Sequence, residues 1–400
     1  MKKFFALLLS LAMVLALVAC GQKDPTPDTP DTPDDPQTKV EYKVAMITDY
    51  GDITDQSFNQ TTYEACKAFA EDNSIEFSYF KPAGDNTADR VAMIEKAVDE
   101  GFNVIVMPGY AFGGAIVEAA PEFPDVKFIA LDVAAGDLLE TAVAKAGEAY
   151  DYTPENWDLN KYVDMSNVYC AVYQEELCGY MAGYAAVKLG YKNLGFLGGM
   201  SVPAVVRYGY GFVQGVDAAA ADLGLTDVKL NYIYGGQFFG DADITAVMDT
   251  WYQGGTEVVF ACGGGIYTSA AEAAAKVGGK LIGVDVDQSA NINTYGEGMC
   301  VTSAMKGLAE TVKHMLGEVV AGNFANYGGQ VETLGLVNGD DPTANYVQLP
   351  METTQWGDGF TQDDYKALVK AMYDGEVTVS NDISAMPATT ITVNFAGNIK

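Results

Sequence analysis

From Val44 onward the chain alternates short β-rich runs with amphipathic segments of helical period. The strand candidates are Val44 to Thr48, Ile75 to Phe80, Val104 to Met107, Lys127 to Leu131, Val168 to Val172, Asn193 to Leu197, Leu230 to Tyr234, Val258 to Ala261, Leu281 to Val284 and Val301 to Ala304. Between them fall helical patterns such as Phe58 to Asn73, Thr87 to Glu100, Gly113 to Ala120, Glu175 to Leu189, Arg207 to Leu223, Asp241 to Gln253, Thr268 to Val277 and Lys306 to Val320. Such alternation predicts an α/β protein whose parallel sheets are covered by helices on both faces. Two cycles look alike, and each reaches an apolar strand closed by an acid: Phe128 to Asp132 (FIALD) and Leu281 to Asp285 (LIGVD). Two similar halves imply two lobes, each a parallel sheet flanked by helices, with a ligand cleft between them and crossover strands at a hinge. The crossovers are expected within 167–173 and 291–301. That gives an N-terminal lobe of 41–168 with 290–322 and a C-terminal lobe of 169–289 with 323–400. After Asn323 the pattern is irregular, with a helix expected from Thr361 to Tyr373 and a β-rich end from Ile391 to Phe395.

Ahead of this body the chain opens with Lys2 and Lys3, an apolar run from Phe4 to Val18, and Leu17-Val18-Ala19-Cys20. The run is short for a membrane span and ends in small residues, so 1–19 reads as an export signal. Leu-Val-Ala-Cys resembles the bacterial lipobox, which makes Cys20 the expected lipidation site and new N-terminus. Residues 20–40 are rich in Pro, Asp and Thr, and are expected to form a disordered spacer. The folded part then sits on the extracytoplasmic face of a cell membrane, anchored by lipid alone. The formal net charge of −31 repels nucleic acid and anionic headgroups. No basic cluster offers a pocket for a phosphorylated guest, so a neutral or zwitterionic solute is expected. Six cysteines leave five without Cys20, at no metal or redox spacing, and no metal or other cofactor is expected. The one histidine, His314, leaves little room for acid–base catalysis, so no catalytic residues are assigned.

Ligands in open α/β sheets bind beyond the carboxyl ends of the strands. The first such place is Asp49 to Asn59. There a carboxylate (Asp49), an aromatic face (Phe58) and an amide (Asn59) suit a nucleoside. Asn59 could equally cap the helix that starts there. Asp132 and Asp285 end apolar strands, where a carboxylate is costly unless a backbone amide or a ligand satisfies it. Lys306 opens a helical pattern, where a cation opposes the helix dipole and so suggests function, while an exposed helix lysine fits the position equally well. Tyr208, Tyr210 and Phe212 point in different directions at helical spacing; Tyr208 is assigned to the cleft. Gly263, Gly264 and Gly265 follow a strand but form no dinucleotide fingerprint.

Six pieces in order resemble the basic membrane protein family of lipoproteins, similar to purine-nucleoside receptors of ATP-binding cassette transporters. They are DYGDITDQSFNQ (49–60), GYAFGGAIVEAAPEFPDVKFIALD (109–132), QEELCGYMAG (174–183), GGMSVPAVVRYGYGFVQG (198–215), GVDVDQ (283–288) and TSAMK (302–306). The resemblance implies a two-lobed type I periplasmic-binding-protein fold. It places the base between Phe58 and Tyr208, with tyrosine where the family usually has phenylalanine. It also places Asn59 and Asp132 at the base edge, Asp285 and Lys306 at the ribose, Asp49 beside them, and Gly263 and Gly264 where backbone approaches the sugar.

The expectation is a monomeric, lipid-anchored solute receptor, not an enzyme. It would capture a nucleoside of guanosine, inosine or adenosine type and pass it to an ABC transporter permease. The competing readings are an extracytoplasmic nucleoside-processing enzyme with a cation at Asp49, Asp52 and Asp55, and the same fold tuned to a sugar or a signalling molecule.

Overall fold

The computed structural model describes residues 41–400. The expected signal segment 1–19, Cys20 and the spacer 20–40 lie outside the described residues. In chain order the elements are β1 (Lys43–Ile47), α1 (Phe58–Asn73), β2 (Glu76–Phe80), α2 (Thr87–Asp99), β3 (Val104–Pro108), α3 (Gly113–Ala119), β4 (Lys127–Leu131), α4 (Ala135–Lys145), β5 (Val168–Tyr173), α5 (Glu175–Lys188), β6 (Asn193–Gly198), α6 (Pro203–Asp222) and β7 (Lys229–Tyr234). There follow α7 (Ala242–Gln253), β8 (Val258–Cys262), α8 (Tyr267–Ala275), β9 (Lys280–Asp285), α9 (Ser289–Ile292), β10 (Cys300–Lys306), α10 (Leu308–Val320), β11 (Gln330–Leu334), β12 (Val347–Gln348), α11 (Gln362–Tyr373) and β13 (Thr392–Asn398).

Two sheets organise these elements. The first has the order β11-β5-β4-β3-β1-β2 and the second β12-β10-β9-β8-β6-β7-β13. Every pairing is parallel except β10 with β12. Central strands such as β3 (VIVMP) and β8 (VVFAC) are buried at every position, as expected where helices cover both faces of a parallel sheet. All ten strands read from the sequence are present within a residue or two. The structure adds α4, α9, β11 and β12, and the final strand runs 392–398.

The crossovers fall later than the sequence reading put them. β5 pairs along its length with β11 and over most of it with β4, so it belongs to the first sheet. β10 pairs with β9 in the second. The chain therefore crosses at Gln174, returns at Gly307 into α10, which packs on α1 and β4, and crosses a third time between β11 and β12. The segment 323–400 is accordingly shared: β11 extends the first sheet, and β12 and β13 extend the second.

The tightest helix pair, α5 against α6, explains three of the glycines. A Cβ on Gly211 would overlap the carbonyl oxygen of Glu176, one on Gly215 that of Tyr180, and one on Gly179 that of Tyr208. Glycine at these positions lets the two backbones touch, and the close approach fixes where Glu175 and Arg207 stand. Gly211→Ala should lower stability by about 2 kcal/mol or more through overpacking, read as a lower urea midpoint with unchanged m value.

Candidate functional site

The loops that leave the carboxyl ends of both sheets face one another across a cavity of about 380 Å³. Its wall contains Asp49, Phe58, Asn59, Asp132, Gly263, Gly264, Asp285 and Lys306. Eight of the nine residues singled out from the sequence are thus brought together. Tyr208 is not among them.

At the floor stands Lys306. It is the last residue of β10, not the first of a helix, so its side chain projects from a strand end and the dipole argument does not apply. Its ammonium pairs with Asp132 from the first lobe, and lies 3.6 Å from Asp285 and 3.6 Å from Glu175. It also faces the rings of Phe58 (4.8 Å), Tyr173 (5.5 Å) and Tyr208 (5.6 Å). Burial works against its charge, but the three carboxylates outweigh that and hold its proton more tightly than in an ordinary lysine. Asp132 and Asp285 both take left-handed backbone angles, φ 57° and 66°, at matching strand ends. Aspartate tolerates this conformation better than most residues.

The first lobe contributes the loop 49–57. Asp49 Oδ1 accepts from the amides of Tyr50 (2.6 Å) and Gly51 (2.7 Å), although burial still raises its pKa above the usual carboxylate value. Asp55, not Asn59, closes the start of α1, accepting from the amides of Ser57, Asn59 and Gln60. Asn59 is therefore not the cap of this helix. Its Nδ2 donates to Asp55 at 3.2 Å, a carboxylate can only accept, and so its Oδ1 is turned away, buried and without a hydrogen bond. Asp132 Oδ1 is likewise buried and unpartnered. Asp52 is drawn off to Lys81 (2.9 Å) and Thr54, so Asp49, Asp52 and Asp55 are engaged separately.

The lobes also meet directly. Ser57 Oγ donates to Asp285 (2.5 Å), which lies on the other lobe. Gln56, held at φ 55°, accepts from Tyr267 OH (2.7 Å) and from the Gln288 side chain (3.1 Å).

Tyr208 is a correction. It is 1% exposed, its hydroxyl donates to the Ala304 carbonyl at 3.3 Å, and its ring stands edge-on to Phe260. It packs beneath the floor and does not form a wall. The aromatic residues that the second lobe presents are Phe238 and Phe239, after β7, of which Phe238 is the part-buried one. Gly199 and Gly263 leave the space its ring occupies, since a Cβ on Gly263 would come within 2.7 Å of that ring. The glycines expected to admit a sugar therefore first seat a ring. Strand-end logic applied to Tyr234-Gly235-Gly236-Gln237-Phe238 would have found it.

Arg207, on α6, was also missed. It lines the cavity and donates to Glu175 at 2.6 Å. Beside it, burial pushes Glu176 and Asp137 up to about 7.

The match to known proteins agrees with this architecture. Residues 42–340 match the family model described as ABC transporter substrate-binding protein PnrA-like. The chain belongs to this family. It is 25% identical over 393 residues to the ABC transporter nucleoside-binding protein BmpA of Lactococcus lactis subsp. cremoris, covering 93% of this chain and 96% of that one. It is 25% identical over 303 residues to basic membrane protein B of Borreliella burgdorferi, covering 74% and 79%. A solved ABC transporter solute-binding protein from Aeropyrum pernix K1 superposes with a TM-score of 0.60 at 22% identity, over 86% of this chain and 88% of that one. The chain is thus an ABC transporter substrate-binding protein of the PnrA-like family, with a type I periplasmic-binding-protein fold. No helix among the described residues is long and apolar enough to cross a membrane.

Glu176 gives this substrate-binding protein a pH signature. Its carboxyl keeps its proton in the folded chain up to about pH 7, whereas the unfolded chain releases it near the ordinary glutamate value. Stability conferred by the protonated group is therefore full in acid and falls as pH rises from about 4.5 towards 7. Glu176→Gln should flatten the pH dependence of the urea midpoint between pH 5 and 8, by about 1–3 kcal/mol in total.

Proposed function

We propose that this substrate-binding protein captures a purine nucleoside of guanosine, inosine or adenosine type between its lobes and delivers it to an ABC permease from a lipid anchor at Cys20. The observation that carries this reading is a pair of buried acceptors without partners, Asn59 Oδ1 and Asp132 Oδ1, in a cleft with an aromatic ring from each lobe, Phe58 and Phe238. An occupant must bring hydrogen-bond donors and a flat face, because a buried acceptor left unmatched is costly. A nucleoside has both.

The charge of the wall favours a nucleoside over a nucleotide. Asp49, Asp52, Asp55, Asp132, Asp137 and Asp285 stand against Lys81, Arg207 and Lys306, and each of these cations is already paired with a carboxylate. A phosphate would have to displace one of those carboxylates. In this reading Asn59 and Asp132 take the base edge, while Asp285 and Lys306 hold the ribose hydroxyls, with Asp49 beside them. Lys306 needs no unpaired charge for this. A hydroxyl can accept from the ammonium while donating to a neighbouring carboxylate. The chain's one histidine lines a different cavity, so nucleoside cleavage in the cleft would rest on carboxylates alone. The lipobox Leu17-Val18-Ala19-Cys20 supports the anchor.

Titration calorimetry against guanosine, inosine, adenosine, the free bases and pentoses tests the reading. Saturable nucleoside binding without release of free base is expected. Binding of a pentose alone, or free base accumulating with time, overturns it. Phe58→Ala and Phe238→Ala should each weaken nucleoside binding about tenfold or more, one lost stacking contact. Phe58→Ala should also leave the melting temperature of the unliganded protein nearly unchanged. Tyr208→Phe, by contrast, should leave affinity within about twofold, because it removes only one hydrogen bond below the floor.

A further inference from the structure

Behind the floor of the cleft lies a second cavity, of about 420 Å³. All three crossings between the lobes contribute to it: Gln174 from the first, Thr311 and His314 on α10 from the second, and Leu334 to Val337 with Tyr346 from the third. Tyr173, fully buried, links a residue of each wall. Its ring faces Lys306 on one side, and its hydroxyl donates to Thr311 (2.9 Å) on the other.

The lining of this hinge cavity differs in kind from that of the cleft. It holds one carboxylate, Glu332 on β11, and neither lysine nor arginine. Glu332 accepts from Tyr169 OH at 2.7 Å and makes no ion pair among the described residues. Around it stand aromatic rings set at right angles. Tyr169 and Tyr327 lie 6.0 Å apart at 85°, and His314 and Tyr327 5.5 Å apart at 82°. Tyr346 supplies a further ring to the wall.

The negative faces of aromatic rings attract a positive charge that sits over them, and an ammonium bearing alkyl groups also buries apolar surface against them. A single carboxylate then balances the charge. An anion would meet Glu332 with no lysine or arginine to offset it and only His314 as a basic neighbour, and a chain of net charge −31 raises the local concentration of cations. We propose that the hinge cavity is a binding site for a small organic ammonium ion, held over the rings of Tyr327 and Tyr346 and paired with Glu332, which the buried Tyr169 orients through its hydroxyl. The site is separate from the nucleoside cleft and stands whether or not that reading of the cleft holds.

Choline chloride, titrated into the folded protein against sodium chloride of the same ionic strength, is the test. Saturable binding is expected in the wild-type protein and in Phe58→Ala, which alters only the cleft. Choline's uncharged carbon isostere should not bind. Glu332→Gln and Tyr327→Leu should each weaken choline binding by about tenfold or more, while Tyr327→Phe, which keeps the ring and serves if the leucine variant does not fold, retains it. No saturable binding above the salt control, wild-type affinity in Glu332→Gln or in folded Tyr327→Leu, or loss of binding in Phe58→Ala each overturns the proposal.

Discussion

The arrangement depends on one buried cation. Lys306 is 6% exposed, and it stays charged because Asp132, Asp285 and Glu175 surround it. Desolvating an ammonium costs several kcal/mol, and only close opposite charges offset this. Those charges come from three separate places: the end of β4 on one lobe, the end of β9 on the other, and the first turn of α5 just past the first crossing. One side chain therefore ties both lobes and the hinge to the cleft floor. The cluster is also over-supplied with carboxylate, since Arg207 must share Glu175. Burial raises Glu175, Asp285 and Asp49 alike. A floor of this kind holds more acceptors than its own donors can satisfy.

Much of this was readable in the sequence because the responsible forces are local. A parallel strand buried on both faces must be a short, continuous apolar run, and its carboxyl end must release a loop towards the ligand side. Asp132 and Asp285 could be picked out as acids placed where burial is costly, Asp49 as the acid in the loop after the first strand, and Phe58 and Asn59 as the start of the first helix. Other parts left no local trace. The crossings at Gln174 and Gly307 take a residue or two each, with no change in composition to mark them. β11 (QVETL) is an edge strand exposed at its first residue and only part-buried at the next two, so its pattern is weak. Among Tyr208, Tyr210 and Phe212 the helical period alone cannot say which ring faces the core. The answer depends on how tightly α5 and α6 approach through Gly179, Gly211 and Gly215, which is a tertiary fact. Phe238 lies in the loop after β7, where the strand-end rule points, whereas the family resemblance places the second ring on a helix.

The cleft and the hinge cavity divide the chemistry of the molecule between them. One is rich in aspartate and already holds its cations in ion pairs. The other has aromatic walls and a lone glutamate. Tyr173, at the end of β5, contacts one residue of each wall, Lys306 and Thr311.

Neither lobe is a continuous piece of chain. The first sheet waits for β11 and for α10 against its face, and the second waits for β12 and β13. Contacts so distant along the chain must pay loop-closure entropy before they are rewarded, which slows folding. The two halves cannot mature one after the other as the polypeptide emerges. They must complete their sheets together, once the segment from α10 onward is free to return to both.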